Sequence, residues 1–211
     1  MVLSSLLALA AGCANRNDAG DATGLAPAAA HAGDTHIAFT RETLPNGLEV
    51  IYAPMHQAPV VHVRVHYHVG SRDERPDRQG FAHMFEHMMF RGSAHVGPEQ
   101  HMKLIGQVGG SCNAFTGFDQ TVYHNTLPAN QLELALYLEA DRMASFKVSH
   151  DIYATERNVV MEEWRMKQNR PYGQMWAHFL PVVFTKHPYR WAPIGDMDQL
   201  RAAGAPELQA F

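Results

Sequence analysis

Two histidines and a glutamate in one short stretch have the types and spacing of a metal-dependent hydrolytic site. His83, Glu86 and His87 lie within GFAHMFEHMMF, residues 80–90. Residues three and four positions apart lie on one face of an α-helix, so both imidazoles could reach a single zinc ion at about 2.0–2.1 Å. The carboxylate between them could act as a base toward a water molecule beside the metal. The alternative interpretation is a helix whose histidines are only solvated or hydrogen-bonded.

A catalytic zinc ion takes three protein ligands and keeps one position open, and a candidate for the third ligand lies downstream. The stretch TERNVVMEEW, residues 155–164, predicts a helix that carries Glu156, Glu162 and Glu163. Glu156 and Glu163 are two helical turns apart and share a face, whereas Glu162 points about 100° away. This helix could therefore present Glu163 to the metal and keep Glu156 close behind it.

The sequence around these side chains predicts the elements that position them. Pro45-Asn46-Gly47 lies between two strand-like runs and predicts a β-hairpin. Strands are predicted near 58–70 and within 111–128, and helices from about 81, within 97–110, within 129–146 and within 149–169. Because strands and helices interleave along the chain, the pattern indicates a layered α/β or α+β structure.

The predicted strand at residues 58–70 raises a second metal-site interpretation. Its apolar residues alternate with His62, Arg64, His66 and His68, so three histidines lie on one strand face. Positions two apart in a strand are separated by about 7 Å, which is too far for neighbouring imidazoles to share one ion easily. We therefore favour an ordinary polar sheet face over a metal site at this strand.

Composition and charge limit the functional classes. The chain has 211 residues, of which 46% are hydrophobic and 18% charged, as in a globular protein, and its formal net charge is −4. Because the sequence has no strongly basic run, we expect no nucleic-acid partner. Its 14 histidines are scattered rather than arranged in tandem, which argues against a zinc-storage protein.

The first 36 residues predict export. MVLSSLLALAAGC, residues 1–13, is too short to span a bilayer but is typical of a secretory signal segment. LAAGC resembles the lipobox of bacterial lipoproteins, which predicts a lipidated Cys13 and a periplasmic location in a bacterial cell envelope. Ala14 after that cysteine favours the outer membrane, and the alternative is an unstructured apolar tail. Residues 14–36 predict a flexible tether, and residues 37–211 form the predicted folded domain.

Five ordered blocks of this sequence resemble the pitrilysin, insulin-degrading enzyme and mitochondrial processing peptidase family of inverted-motif zinc peptidases. HxxEH at residues 83–87 matches the family signature, and Glu163 follows His87 by 76 residues, as the family's third ligand does. The five blocks are PNGLEV at 45–50, VGSRDE at 69–74 together with GFAHMFEHMMFRGS at 80–93, GGSCNAFTGFDQTVYH at 109–124, ERNVVMEE at 156–163, and HPY with PIG near 187–195. The resemblance covers about residues 40–211.

The resemblance implies a role for each residue of the motif. His83, His87 and Glu163 correspond to the ligands of one Zn²⁺ per chain. Glu86 corresponds to the general base, which takes a proton from water and passes it to the leaving amine. Glu156 corresponds to a second carboxylate that supports the site without binding the metal.

The resemblance also implies a fold, a substrate class and a partner. The fold is α+β, with an antiparallel-rich mixed sheet packed against helices, and the activity is that of a zinc endopeptidase acting on peptides. Asn113, Ala114 and Phe115 correspond to an edge strand to which the substrate backbone is added.

A second homologous half, on the same chain or on a partner subunit, completes the peptide chamber in this family. We therefore expect this chain to be an N-terminal catalytic domain that is incomplete at its C-terminus. The alternative is a non-enzymatic subunit that binds peptides on the same fold, and the intact HxxEH argues against it.

Overall fold

The computed structural model describes residues 37–146 and 148–211 of the chain. These residues belong to two compact units, which divide between Pro54 and Met55. The predicted signal segment, the predicted lipidation site at Cys13 and the predicted tether lie outside the described residues. None of the described helices is long and apolar enough to cross a membrane.

The first unit contains the β-hairpin that the Pro-Asn-Gly turn predicts. Strand β1, Thr40–Thr43, pairs antiparallel with strand β2, Glu49–Tyr52. Gly47 in the turn has a φ of 87°, a left-handed conformation that glycine adopts without steric cost. The turn chemistry of the sequence therefore sets where the two strands begin and end.

The second unit is built on a three-stranded antiparallel sheet. Its strands are β3, Val60–Tyr67; β4, Ser111–Thr116; and β5, Thr121–Pro128. Strand β5 is central and pairs antiparallel with both neighbours, so that its Tyr123 lies opposite Val65 and Ala114. Val61, Val63 and Val65 of β3 are half-buried while its histidines are exposed, as the alternation predicts, and Val60 at the start of the strand is exposed. The expected α+β class is confirmed.

Seven helices complete the described part of the second unit. They are α1, Phe81–Met88; α2, Gln100–Gln107; α3, Leu132–Ser145; α4, His150–Gln168; α5, Met175–Val183; α6, Met197–Ala202; and α7, Ala205–Gln209. Short 3₁₀ turns lie at Ser71–Asp73, Ala129–Gln131 and Pro188–Arg190. Helix α4 begins where the sequence predicts, because the Ser149 side chain accepts a hydrogen bond from the Ile152 N–H.

Helix α1 is fixed by packing on one side and by a buried carboxylate at its N-terminus. Its Met84 and Met88 are fully buried in a core that includes Val160 of α4. Glu74 accepts hydrogen bonds from the Gly80 and Ala82 N–H groups at 3.0 and 2.9 Å. These donors at the start of the helix are therefore satisfied from outside it. Burial outweighs these hydrogen bonds and raises the pKa of the Glu74 carboxyl to about 7.

Candidate metal centre

Helices α1 and α4 bring two histidines and a glutamate together at one point. One ligand atom from each of His83, His87 and Glu163 lies within 4.8 Å of the others. The Nε2 atoms of His83 and His87 are 3.6 and 3.4 Å from the same carboxylate oxygen, Oε2 of Glu163. In the described part of the chain this is the one group of three or more such side chains that could hold a metal ion.

The spacing of these donor atoms fits a shared ion better than it fits direct hydrogen bonds. Two atoms that are each about 2.0–2.1 Å from one zinc ion at the tetrahedral angle lie about 3.3–3.4 Å apart. A charge-assisted hydrogen bond from nitrogen to oxygen is shorter, at about 2.7–2.9 Å. The observed 3.4 and 3.6 Å separations are close to the tetrahedral distance. Two imidazoles and one carboxylate are also a ligand set that zinc sites use.

The electrostatics of the three groups differ. Burial, followed by the charge of His87, lowers the pKa of His83 to about 4, so this imidazole is neutral at neutral pH and has one nitrogen lone pair available for a metal ion. Burial also lowers the pKa of His87, but the carboxylates of Glu156 and Glu163 outweigh it and raise the pKa to about 9. The facing His87 holds the pKa of Glu163 at about 2, with help from Lys167.

Glu156 stands behind the site, as the seven-residue spacing predicts. Its carboxylate is 2% exposed, and Oε2 lies 3.4 Å from Nδ1 of His87. The guanidinium of Arg91 is 2.6 Å from the other oxygen and balances the buried charge. A carboxylate on the second ring nitrogen orients a metal-binding imidazole and raises its basicity.

Glu86 points from α1 toward the sheet. The Thr116 hydroxyl at the end of β4 donates a hydrogen bond to Glu86 Oε2 at 2.5 Å. Burial raises the pKa of the Glu86 carboxyl, and the Thr116 hydrogen bond opposes that rise. Glu86 is thus a half-buried carboxylate one residue before His87 in the chain.

A cleft of about 890 Å³ opens over these side chains. Asn113 and Ala114 of β4 line it together with the three candidate metal ligands and Glu86. In the described part of residues 55–211, β4 pairs with β5 on one edge and with no strand on the other. The Ala114 N–H is instead satisfied by the Asn113 side chain, whose Oδ1 accepts from it at 2.9 Å. The exposed Phe115 ring lies 5.7 Å from the guanidinium carbon of Arg64 on β3.

The histidines of β3 form no comparable group. His66 and His68 stack edge to face with ring centroids 4.8 Å apart. His62 Nδ1 is 2.9 Å from the Thr126 hydroxyl. Among the described residues no third metal-binding side chain joins any of them, and the polar-face interpretation of this strand is the one we keep.

Three side chains at the site were not predicted from the sequence. Lys167 lies 2.6 Å from Oε1 of Glu163, and its i,i+4 spacing from that residue is a signal that could have found it. Arg91 likewise follows His87 by four residues. Thr116 has no such signal, because its contact with Glu86 depends on how α1 packs against β4.

Comparison with known proteins gives matches over most of the chain. The family model described as Insulinase (Peptidase family M16) matches residues 49–186. The zinc protease PqqE of Helicobacter pylori is 36% identical over 171 residues, which cover 80% of this chain and 38% of the relative. The chain therefore spans well under half the length of this curated relative.

Solved structures match the same region. A protease from Helicobacter pylori superposes with a TM-score of 0.80 at 35% identity, covering 82% of this chain and 42% of that one. The periplasmic protease PqqL from Escherichia coli superposes with a TM-score of 0.75 at 26% identity, covering 82% of this chain and 20% of that one.

Proposed function

Because the chain belongs to the insulinase family, peptidase family M16, we propose that it carries the catalytic zinc site of an endopeptidase. The family that the sequence motifs resemble is thereby confirmed. The observation that carries the proposal is the convergence of His83, His87 and Glu163 within 4.8 Å, with Glu86 beside them in the same cleft. The proposed reaction is hydrolysis of a peptide bond.

His83, His87 and Glu163 would hold one zinc ion per chain. When bound, such an ion supplies Lewis acidity to a water molecule and to the scissile carbonyl. Glu86 accepts a proton from the attacking water and passes it to the leaving amine as the C–N bond breaks. Burial favours this role, since it raises the pKa of Glu86 and makes the carboxylate a stronger base.

Glu156 would support the reaction without touching the substrate. Its Oε2 faces Nδ1 of His87, so that Nε2 is the nitrogen turned toward Glu163. The Arg91 guanidinium, 2.6 Å from Oε1 of Glu156, balances the charge of that buried carboxylate. The contact between Glu156 and His87 would hold the His87 ring in one orientation.

The open edge of β4 is the proposed substrate site. Asn113, Ala114 and Phe115 lie on this edge strand, and the first two line the cleft. An extended peptide that pairs with a strand edge is held mainly through its main chain, which favours broad sequence tolerance. We propose peptides as the substrate class on this basis.

Partner and location are proposed from the relatives and the N-terminal sequence. The relatives are more than twice as long as the matched region, which supports a second homologous half on the same chain or on a partner subunit. The signal-like residues 1–13 and the similarity to a protease described as periplasmic support a periplasmic location. Lipid anchoring at Cys13, in the outer membrane, is part of the same proposal.

The test compares the purified full chain with its Glu86→Gln variant. We expect one zinc ion per chain in both, chelator-sensitive cleavage of a quenched fluorescent peptide library by the wild type, and a loss of about 10²–10⁴-fold in the variant. Glu162→Gln is the matched control, because Glu162 is exposed and pairs with Arg165. Near-normal cleavage by Glu86→Gln would contradict the proposal, whereas zinc binding without any cleavage would mean that the site needs its second homologous half or a partner subunit.

A further inference from the structure

The Thr116 hydroxyl joins the two functional parts of the cleft. Thr116 is the last residue of β4, the strand that carries Asn113 and Ala114 along the cleft. Its Oγ1 donates to Oε2 of Glu86 at 2.5 Å. One hydroxyl therefore connects the proposed substrate strand to the proposed base.

The backbone around Thr116 is held in place by hydrogen bonds on both sides of the turn that follows β4. Thr116 lies opposite Thr121 in the β4–β5 register, and the Gly117 N–H donates to the Gln120 carbonyl at 2.8 Å. The Ser71 N–H donates to the Gly117 carbonyl at 3.2 Å. Because threonine has a single heavy-atom side-chain torsion with few rotamers, a fixed backbone limits its hydroxyl to a few positions.

The glutamate on the other side of this contact has more freedom. Glu86 has three side-chain torsions, and an ionised carboxylate offers two oxygens that accept hydrogen bonds but donate none. The Thr116 hydroxyl on β4 donates to Oε2 of Glu86. The other carboxylate oxygen, Oε1, then remains free to accept a proton from water. A base must lie within about 2.6–3.2 Å of the proton donor it serves, so the orientation of the carboxylate matters for turnover.

We propose that Thr116 is a positioning residue for Glu86, and that its hydroxyl sets the base relative to a peptide bound along β4. The inference rests on the proposed function, since it assigns Thr116 a role in that reaction. The hydrogen bond of the Thr116 hydroxyl goes to Glu86 rather than to a candidate metal ligand. Its effect is on turnover rather than on the binding of zinc or peptide.

The chain offers a matched control for the loss of a threonine hydroxyl at this hairpin. Thr121, opposite Thr116 in the register, is 6% exposed, and its hydroxyl donates to the Val69 carbonyl at 2.9 Å. Thr121→Val removes a buried hydroxyl from the same strand pair without touching Glu86. Valine keeps the β-branched shape in both variants, so strand propensity is preserved.

The kinetic experiment measures kcat, KM and zinc content for Thr116→Val, Thr116→Ser and Thr121→Val in the full chain. Thr116→Val should lower kcat about 10–100-fold, because a misplaced catalytic group costs up to about 10²-fold. KM should stay within about twofold, and zinc content should stay at one per chain. Thr116→Ser should recover most of the lost kcat, and Thr121→Val should leave kcat within about twofold.

A second readout separates this inference from the proposed function. The ¹³Cδ resonance of Glu86, assigned by its loss in Glu86→Gln, should move in Thr116→Val and stay unchanged in Thr121→Val. A folded wild type that binds no zinc would overturn the proposed function, and the resonance would still test the contact. An unmoved resonance, or an unchanged kcat in Thr116→Val of an active enzyme, would overturn the positioning role.

Discussion

Two clusters of polar side chains in residues 55–211 each place histidine beside glutamate. They differ in whether their nitrogen and oxygen atoms hydrogen-bond to one another. In the candidate metal centre, His83 and His87 face Glu163 at 3.6 and 3.4 Å beneath an open cleft. These separations are too long for strong hydrogen bonds. The polar atoms of this cluster therefore lie close together without forming strong hydrogen bonds to one another.

The second cluster, between α2, α3 and β5, is closed. His101 Nε2 lies 3.0 Å from Asn125 Oδ1, and Asn125 Nδ2 donates to Glu139 at 2.6 Å. Arg142 pairs with the same carboxylate and lies over the Tyr123 ring, 4.1 Å from its centroid. All four polar residues of this cluster are at most 3% exposed.

The difference shows what separates a ligand histidine from a structural one. Both clusters contain a histidine and a carboxylate, so residue type does not distinguish them, whereas exposure does: the Glu163 side chain is 32% exposed and the Glu139 side chain 4%. What also distinguishes them is whether the nitrogen and oxygen atoms converge on an open volume or on one another. In the second cluster an internal cation, Arg142, already balances the carboxylate. In the first, a metal ion would supply positive charge between the ligand atoms.

The largest effect should come from breaking the closed cluster. Glu139→Gln leaves the buried Arg142 without its counter-charge, which costs about 3–5 kcal/mol of unfolding free energy. Urea denaturation of the full-length wild type and variant measures this loss of unfolding free energy. Glu133→Gln, on the exposed face of the same helix, is the control and should change the free energy little. Equal stability of the two variants would show that the closed cluster contributes nothing to the fold.

A smaller effect, on zinc affinity, should come from removing the Glu156 charge beside the open cluster. Glu156→Gln weakens the contact that orients His87, and we expect zinc affinity to fall about 10–100-fold at an unchanged stoichiometry. Competition with a chromophoric chelator measures the affinity. Glu162→Gln on the same helix should retain wild-type affinity, because Glu162 pairs with Arg165 outside the cleft. If both variants bound zinc equally, Glu156 would have no part in the site.

The smallest effect is a pH dependence of the closed cluster. Burial, followed by Arg142, lowers the pKa of His101 below its ordinary value of about 6.5. Below that pH the unfolded chain binds a proton at His101 that the folded chain does not. The unfolding free energy should therefore fall as the pH decreases below about 6.5.

The variant His101→Gln should lose this component and show a shallower acid dependence in urea titrations at pH 5.5–7.5. His150→Gln, at an exposed position of α4, should keep the wild-type slope. A His101→Gln slope identical to that of the wild type would contradict the lowered pKa.

The sequence predicted the open cluster better than the closed one because the open cluster depends on local spacing. His83 and His87 share a helix face by the i,i+4 rule, and Glu163 shares one with Glu156 by two full turns. The closed cluster joins His101, Asn125 and Glu139 across three elements, so no periodicity within one element relates them.

The same distinction holds for the fold. The hairpin at Pro45-Asn46-Gly47, the alternation of β3 and the Ser149 cap were predicted from chemistry within a few residues. The contact of Thr116 with Glu86 was not, since it follows from the β4–β5 register and the packing of α1 on β4. Helix α5, Met175–Val183, was missed because Pro181 lies inside it.

The most direct test of the central claim is the zinc content of the folded full chain, measured by elemental analysis after dialysis, for the wild type, His83→Ala and His101→Gln. We expect one zinc ion per chain in the wild type and in His101→Gln. In His83→Ala we expect the affinity for zinc to be at least about 100-fold weaker. Wild-type zinc content in His83→Ala, or a folded wild type without zinc affinity, would contradict the metal site.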